Sequence, residues 1–158
     1  MIIRGSEVRQ YLSQFLQHFS DLTKEDRYNR FFHTVSIDSI RDWLLSLEDR
    51  ETEEHVFKVI IGDDDEFQGI AQLACHKATG EGDMSLSVIP QCQRMGLGER
   101  LLEGIVEIAK EKELKSLNFI CELGNHGSRN LCSKMGFNYA YDPEQECISG
   151  SLNLYGQN

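Results

Sequence analysis

Apolar positions recur along this chain with two different periods, and the switches between them mark its elements. Val8, Tyr11, Leu12, Phe15, Leu16 and Phe19 lie three or four residues apart, the spacing of one helix face, and Ser6 precedes them as a candidate N-cap. Thr23 with Asp26 three residues later is close to a capping box, and it opens a short second helix through Arg30, Phe31 and Phe32. Ile40, Trp43, Leu44 and Leu47 give a third helix, capped by Ser36 or Asp38. From His55 the period falls to two. Val56, Lys58 and Ile60 alternate with Phe57, Val59 and Ile61, residues 67–76 form the next strand, and Asp83, Ser85 and Ser87 alternate with Met84, Leu86 and Val88. A charged turn at 62–66 and a loop at 77–82 join these strands into an antiparallel meander.

Helical spacing returns with Leu101, Leu102, Ile105, Val106, Ile108 and Ala109. Residues 117–121 then read as a buried strand, and Asn125 caps a helix that Gly136 stops in the left-handed conformation. Residues 137–141 and 147–154 form a closing hairpin around Asp142-Pro143. With Ile2-Ile3-Arg4 as a first strand, the order is βααα-βββ-αβαββ. This is an α+β fold with a mixed sheet, and it spans 1–158 as a single domain.

Composition narrows what such a fold can do. A chain of 158 residues buries roughly 68–70% of its unfolded surface. No apolar run approaches the ~20 residues of a membrane span, and the N-terminus turns polar too soon for a signal peptide, so a cytoplasmic protein is expected. The five cysteines and five histidines are scattered without Cys-x-x-Cys or His-x-x-x-His pairs, and no disulfide framework or metal is expected. A formal charge of −10 opposes binding to nucleic acid or an anionic membrane and suits a cationic substrate. The charged run 48–54 reads as a solvated loop. A homodimer is compatible with the sequence, which sets no oligomeric state.

Chemistry concentrates between Val88 and Leu102. The strand ends at Pro90, which has no N–H for a ladder, and the next helix begins after Gly96 and Gly98. A helix N-terminus carries free N–H groups and partial positive charge, and glycines let phosphate oxygens approach the backbone. The spacing Gln93-x-x-Gly96-x-Gly98 is neither a dinucleotide fingerprint nor a Walker loop.

Val88-x-Pro90-x-x-Gln93-x-x-Gly96-x-Gly98 resembles the acyl-CoA pyrophosphate loop of the GNAT N-acetyltransferases. Asn125 to Phe137 is similar to a second pattern of that family, matching at Asn125, Leu131, Lys134, Gly136 and Phe137. The segment 22–32, ending Tyr28-Asn29-Arg30-Phe31-Phe32, is similar to one in bacterial protein-lysine acetyltransferase domains, and it reads equally well as an amphipathic helix with core aromatics. The resemblance implies a mostly antiparallel sheet in which a splayed strand pair binds acyl-CoA, here acetyl-CoA as acyl donor. It implies backbone contacts from Val88 and Ile89, pyrophosphate contacts from Gln93, Arg94, Met95, Gly96, Leu97, Gly98 and Glu99, and a pantetheine contact from Asn125. Arg94 and Arg100 either add charge to the phosphates or are exposed helix-start residues.

The implied acceptor is a primary amine of a protein lysine or polyamine, or of a small antibiotic-type molecule; a non-catalytic acyl-CoA-binding module is the alternative. Amine attack on a thioester needs a proton acceptor. The position where the family usually carries a Glu base falls on Asp83. A simple hairpin sets His76 opposite Asp83 and Gln72 opposite Ser87, making one polar patch with Ser85. Asp83 is the leading base and His76 its partner, with Glu81 and Glu122 as alternatives. Cys132 stands where many relatives place an acidic Tyr, which leaves the general acid unassigned; Tyr139 and Tyr141 are near in sequence.

Overall fold

The computed structural model describes residues 1–49 and 52–155, residue 49 through its backbone only, so the charged run 48–54 lies partly outside the described residues. Seven strands form one sheet in the order β1-β2-β3-β4-β5-β7-β6. They are β1 (Ile2–Arg4), β2 (Glu53–Ile61), β3 (Phe67–His76), β4 (Glu81–Val88), β5 (Ser116–Glu122), β6 (Asn138–Asp142) and β7 (Cys147–Asn153). Five α-helices flank it: α1 (Leu12–Asp21), α2 (Lys24–Phe31), α3 (Ile37–Ser46), α4 (Leu97–Glu111) and α5 (His126–Lys134). The order is the one the periodicity predicts, and every strand pairing is antiparallel except β4 with β5.

The two faces of the sheet carry separate cores. On one face Ala71, Leu73, Cys75 and Met84 pack under Leu101, Leu102, Ile105 and Ala109 of α4. On the other, Phe57, Val59 and Ile70 meet Phe15 and Phe19 of α1 and Ile40 and Leu44 of α3. A period of two along β2 and β3 feeds both, since alternate residues point to opposite faces. No helix among the described residues is long and apolar enough to cross a membrane.

Local signals hold where they are chemical and shift where they are only periodic. Thr23 Oγ1 accepts from Asp26 N at 3.0 Å and Ser36 Oγ from Ser39 N at 3.1 Å, so both caps form and Ser36 is the one used. Gly136 takes φ +89° at the end of α5. The first helical stretch differs. Residues Gly5–Tyr11 form a 3₁₀ helix before α1 begins, and Arg4 rather than Ser6 stands at its cap, donating its N–H to Glu7 Oε1 at 3.0 Å. Helix α4 starts at Leu97, between the two glycines, so Gly98 lies in its first turn rather than before it.

The β3–β4 register also differs from the simple hairpin expected. Asp83 lies opposite Ala74, Ser85 opposite Gln72, and Ser87 opposite Ile70, two residues away from the expected pairing. The turn is shorter than the expected loop, because Gly80 N–H closes on His76 O at 2.9 Å and Glu81 already pairs with His76. A slip of two preserves every face, so the polar and apolar assignments survive it.

Candidate active site

Strand β4 pairs with β5 only through Glu81, Gly82 and Asp83, which face Ser116, Leu117 and Asn118. Beyond that point the two strands separate. Two cavities open into the gap. One, of about 570 Å³, runs from Met84–Val88 to the loop before α4 and to Asn125, Gly127, Ser128, Leu131 and Cys132. The other, of about 820 Å³, lies toward Asp83, Gln72, Trp43 and the β6–β7 hairpin. They share Arg30, Phe32, Met84, Ser85, Phe119 and Ile120, so a reacting atom at the junction is reachable from both sides.

The first cavity ends on the loop before α4. Arg94 at φ +63° and Gly96 at φ +80° twist the chain into the left-handed region before α4. Gly96 occupies the N-cap of α4 with no side-chain cap, and a Cβ there would meet nothing within 4 Å. The first-turn N–H groups of this 15-residue helix are thus open to phosphate oxygens. Val88, Gln93, Arg94, Gly96, Leu97, Gly98, Glu99 and Asn125 all line this cavity. These residues fit the phosphates and arm of acyl-CoA.

Other expected contacts are redirected. Gln93 Nε2 donates to Val88 O and to Asp26 Oδ2, both at 3.0 Å, fastening the loop to β4 and α2. Asn125 Oδ1 accepts from Ser128 N at 3.2 Å, which caps α5 and leaves its amide nitrogen as the group for a ligand. Ile89 is 2% exposed and packs in the α1–α3 core. Its N–H donates to Gln68 O at 3.0 Å and its carbonyl accepts from Cys92 N at 3.0 Å, so its backbone is committed to the protein. Met95 is 67% exposed and, like Arg100, lines neither cavity. Pro90 starts a short 3₁₀ turn between the end of β4 and the loop.

Asp83 lines the second cavity with its side chain 58% exposed. His76 lines neither cavity. It lies diagonally across the ladder, with Nε2 at 2.6 Å from Asp83 Oδ2 and Nδ1 at 3.2 Å from Glu53 Oε1. Both ring nitrogens face carboxylates. The Asp83 hydrogen bond, opposed by partial desolvation, holds the His76 pKa above its ordinary value. His76 thus sits between Asp83 and Glu53 and orients the Asp83 carboxylate. Glu81 and Glu122 line neither cavity.

None of Cys132, Tyr139 and Tyr141 is well placed as an acid. Cys132 is buried in the cofactor cleft, and burial pushes its thiol pKa up to about 12. That makes it a poorer proton donor than an ordinary thiol near 8.5. The Tyr139 hydroxyl lies by the acceptor cavity but donates to Arg129 O, and Tyr141 lines neither cavity.

Two residues to which the sequence assigned no role in the site, Arg30 of the 22–32 segment and His18, lie at the centre. Arg30 borders both cavities, with its guanidinium carbon 4.7 Å from the Phe31 ring centre and 5.4 Å from Trp43. One of its nitrogens donates to Gln72 Oε1 at 2.6 Å. His18, on α1, reaches under β4. Its Nδ1 lies 2.6 Å from Phe67 O and so carries the proton, and its Nε2 accepts from Ser87 Oγ at 2.8 Å. The Ser87 proton thus points away from the cleft, and its oxygen lone pairs remain for a ligand.

A strand pair splayed beside an uncapped helix N-terminus, with a second cavity meeting the first, is the arrangement that the resemblance in the sequence implies for acyl-CoA. The profile of the acetyltransferase (GNAT) family matches residues 14–137, and the chain belongs to that family. An acetyltransferase of Pseudomonas aeruginosa is 21% identical over 140 residues, covering 87% of this chain and 74% of its own. The GNAT domain of S. lividans PAT superposes with a TM-score of 0.73 at 15% identity, covering 91% of this chain and 85% of its own. A Salmonella typhimurium protein solved with its cofactor acetyl-CoA superposes at 0.69 with 17% identity, covering 100% and 95%. The protein is thus an N-acetyltransferase with acetyl-CoA as acyl donor. Among the described residues no group of His, Cys, Asp or Glu is placed to hold a metal ion.

Proposed function

We propose that the protein acetylates a primary amine that enters through the 820 Å³ cavity, with Asp83 receiving the amine's proton directly or through one water. The observation that carries this reading is the shared wall of the two cavities at the point where β4 leaves β5. Acetyl-CoA supplies an acyl group activated as a thioester. The chain's own residues do the rest. Arg94 and the α4 N-terminus bind phosphate, Asn125 holds the arm, Asp83 draws the ammonium and takes its proton, and His76 fixes the Asp83 carboxylate from behind.

Phe31, Phe32, Trp43 and Tyr139 give the acceptor cavity apolar walls, which suit the aliphatic stem of a lysine side chain with its amine turned toward Asp83. The 22–32 segment, similar to that of lysine-acetylating domains, lies on these walls. A polyamine is the less suited of the two acceptors the sequence suggests, because the Arg30 guanidinium repels a second ammonium. That same observation favours a second reading, a small-molecule amine. Replacement of Asp83 by Asn should lower kcat/KM for a reactive amine by about 100-fold, with CoA affinity in calorimetry unchanged. Unaltered turnover in that variant would remove Asp83 from the reaction.

A further inference from the structure

Arg30 is a half-buried cation without an anionic partner. Among the described residues no carboxylate lies within ion-pairing distance of it, and its one hydrogen bond goes to the neutral amide of Gln72. Three aromatic rings surround its guanidinium. A guanidinium has five N–H donors, and desolvating a cation without pairing it is costly. Burial lowers the Arg30 pKa to about 10, which still leaves it charged at neutral pH. In a chain of net charge −10, this is, among the described residues, the only basic side chain lining the acceptor cavity.

The surroundings hold that cation in one pose. Gln72 Oε1 accepts from Arg30, so Gln72 Nε2 must donate, and it does so to His55 Nδ1 at 3.1 Å. The His55 ring, buried on the neighbouring strand β2, thereby fixes which way the amide faces. Gln72 pairs with Ser85, and Asp83 stands two residues along the same face of β4, about 7 Å further. The acceptor cavity thus presents a fixed cation near the acyl junction and a fixed anion beside it.

We propose that Arg30 is a carboxylate subsite, and that the acceptor is a small amine bearing a carboxylate and an apolar or aromatic side chain, in the manner of a free amino acid. The proposal rests on the transferase reading above and narrows its acceptor. Asp83 takes the ammonium end, Arg30 the carboxylate, and the rings of Phe32 and Trp43 the side chain.

The test compares matched acceptors with acetyl-CoA: phenylalanine with phenethylamine, leucine with isoamylamine, lysine with cadaverine, and a lysine-containing peptide capped at both ends. In the wild type the carboxylate-bearing member of each pair should be preferred by about 10- to 100-fold, the span of a hydrogen bond to a charged group, chiefly through KM. Arg30→Met should abolish that preference, and Arg30→Lys, which keeps charge but loses the fork, should retain part of it. Gln72→Glu supplies the missing counter-ion without a change of shape, so it should weaken the preference even if Arg30→Met fails to fold. Equal turnover of the paired acceptors, or a preference for the capped peptide, would overturn the carboxylate subsite and leave the transferase reading standing. Turnover of no amine at all would count against the transferase reading instead. The subsite is then read by calorimetry on the CoA-bound protein, where phenylalanine should bind at least about 10-fold tighter than phenethylamine and equal affinities would overturn it.

Discussion

Single side chains in this protein owe their chemistry to what the fold buries beside them. His18 is the clearest instance. Desolvation, opposed in part by its bond to Phe67 O, lowers its pKa from 6.5 to about 4. The folded state therefore binds fewer protons than the unfolded chain between those values. The resulting stability is fully present above pH 6.5 and is lost as pH falls toward 4, an effect of roughly 3 kcal/mol in all. Denaturant unfolding followed from pH 7 to pH 4.5 should show this loss in the wild type and a flatter profile in His18→Gln, which cannot protonate. An equally steep profile in the variant would mean that carboxylates, not His18, set the acid limit.

At the scale of elements, the loop before α4 shows how a few residues set a binding surface. Gly96 holds φ +80° with open space where a side chain would stand. A Cβ there costs about 1–2 kcal/mol of backbone strain and occupies the approach to the helix N-terminus. Gly96→Ala should raise KM for acetyl-CoA by at least about 10-fold, given the tenfold per 1.4 kcal/mol scale, with acceptor KM little changed. Initial-rate kinetics with each substrate varied in turn separates the two. Gly150 on β7 serves the other cavity by a different means: a Cβ there would lie 2.0 Å from the Phe119 ring, so its absence lets that ring form the wall both cavities share.

For the molecule as a whole, the sheet is held by two independent cores yet parted between β4 and β5. Beyond Asp83 the facing edges of β4 and β5 lack ladder partners, which makes that region the one a ligand should stabilise most. CoA at about 100 times its Kd adds ~2.7 kcal/mol of stability by mass action, worth about 5–10 °C in Tm for a chain of this size. Thermal melts with and without CoA should show that rise, and amide exchange should slow chiefly in residues 84–88 and in the first turn of α4. Protection spread evenly over the sheet would argue against binding in the gap.

Much of this architecture is written locally. Alternation along β2, β3 and β4, the caps at Thr23, Ser36 and Asn125, and the glycines at 96 and 136 act over a few residues, so the element order and the cofactor loop were legible without a structure. Register was legible only to within two residues, because a slip of two leaves each face unchanged while the turn at Gly80 decides between them. The acceptor side was hidden for a different reason. Arg30 meets Gln72 across 42 residues of sequence and His18 meets Ser87 across 69, and no period or motif encodes such encounters. Sequence alone determined that a glycine turn and an uncapped helix N-terminus follow a broken strand, since backbone freedom and helix ends are local properties. Only the packing of α1 and α2 against the sheet decided which cation, carboxylate and rings line the 820 Å³ cavity, because desolvation and contact exist only once distant segments meet.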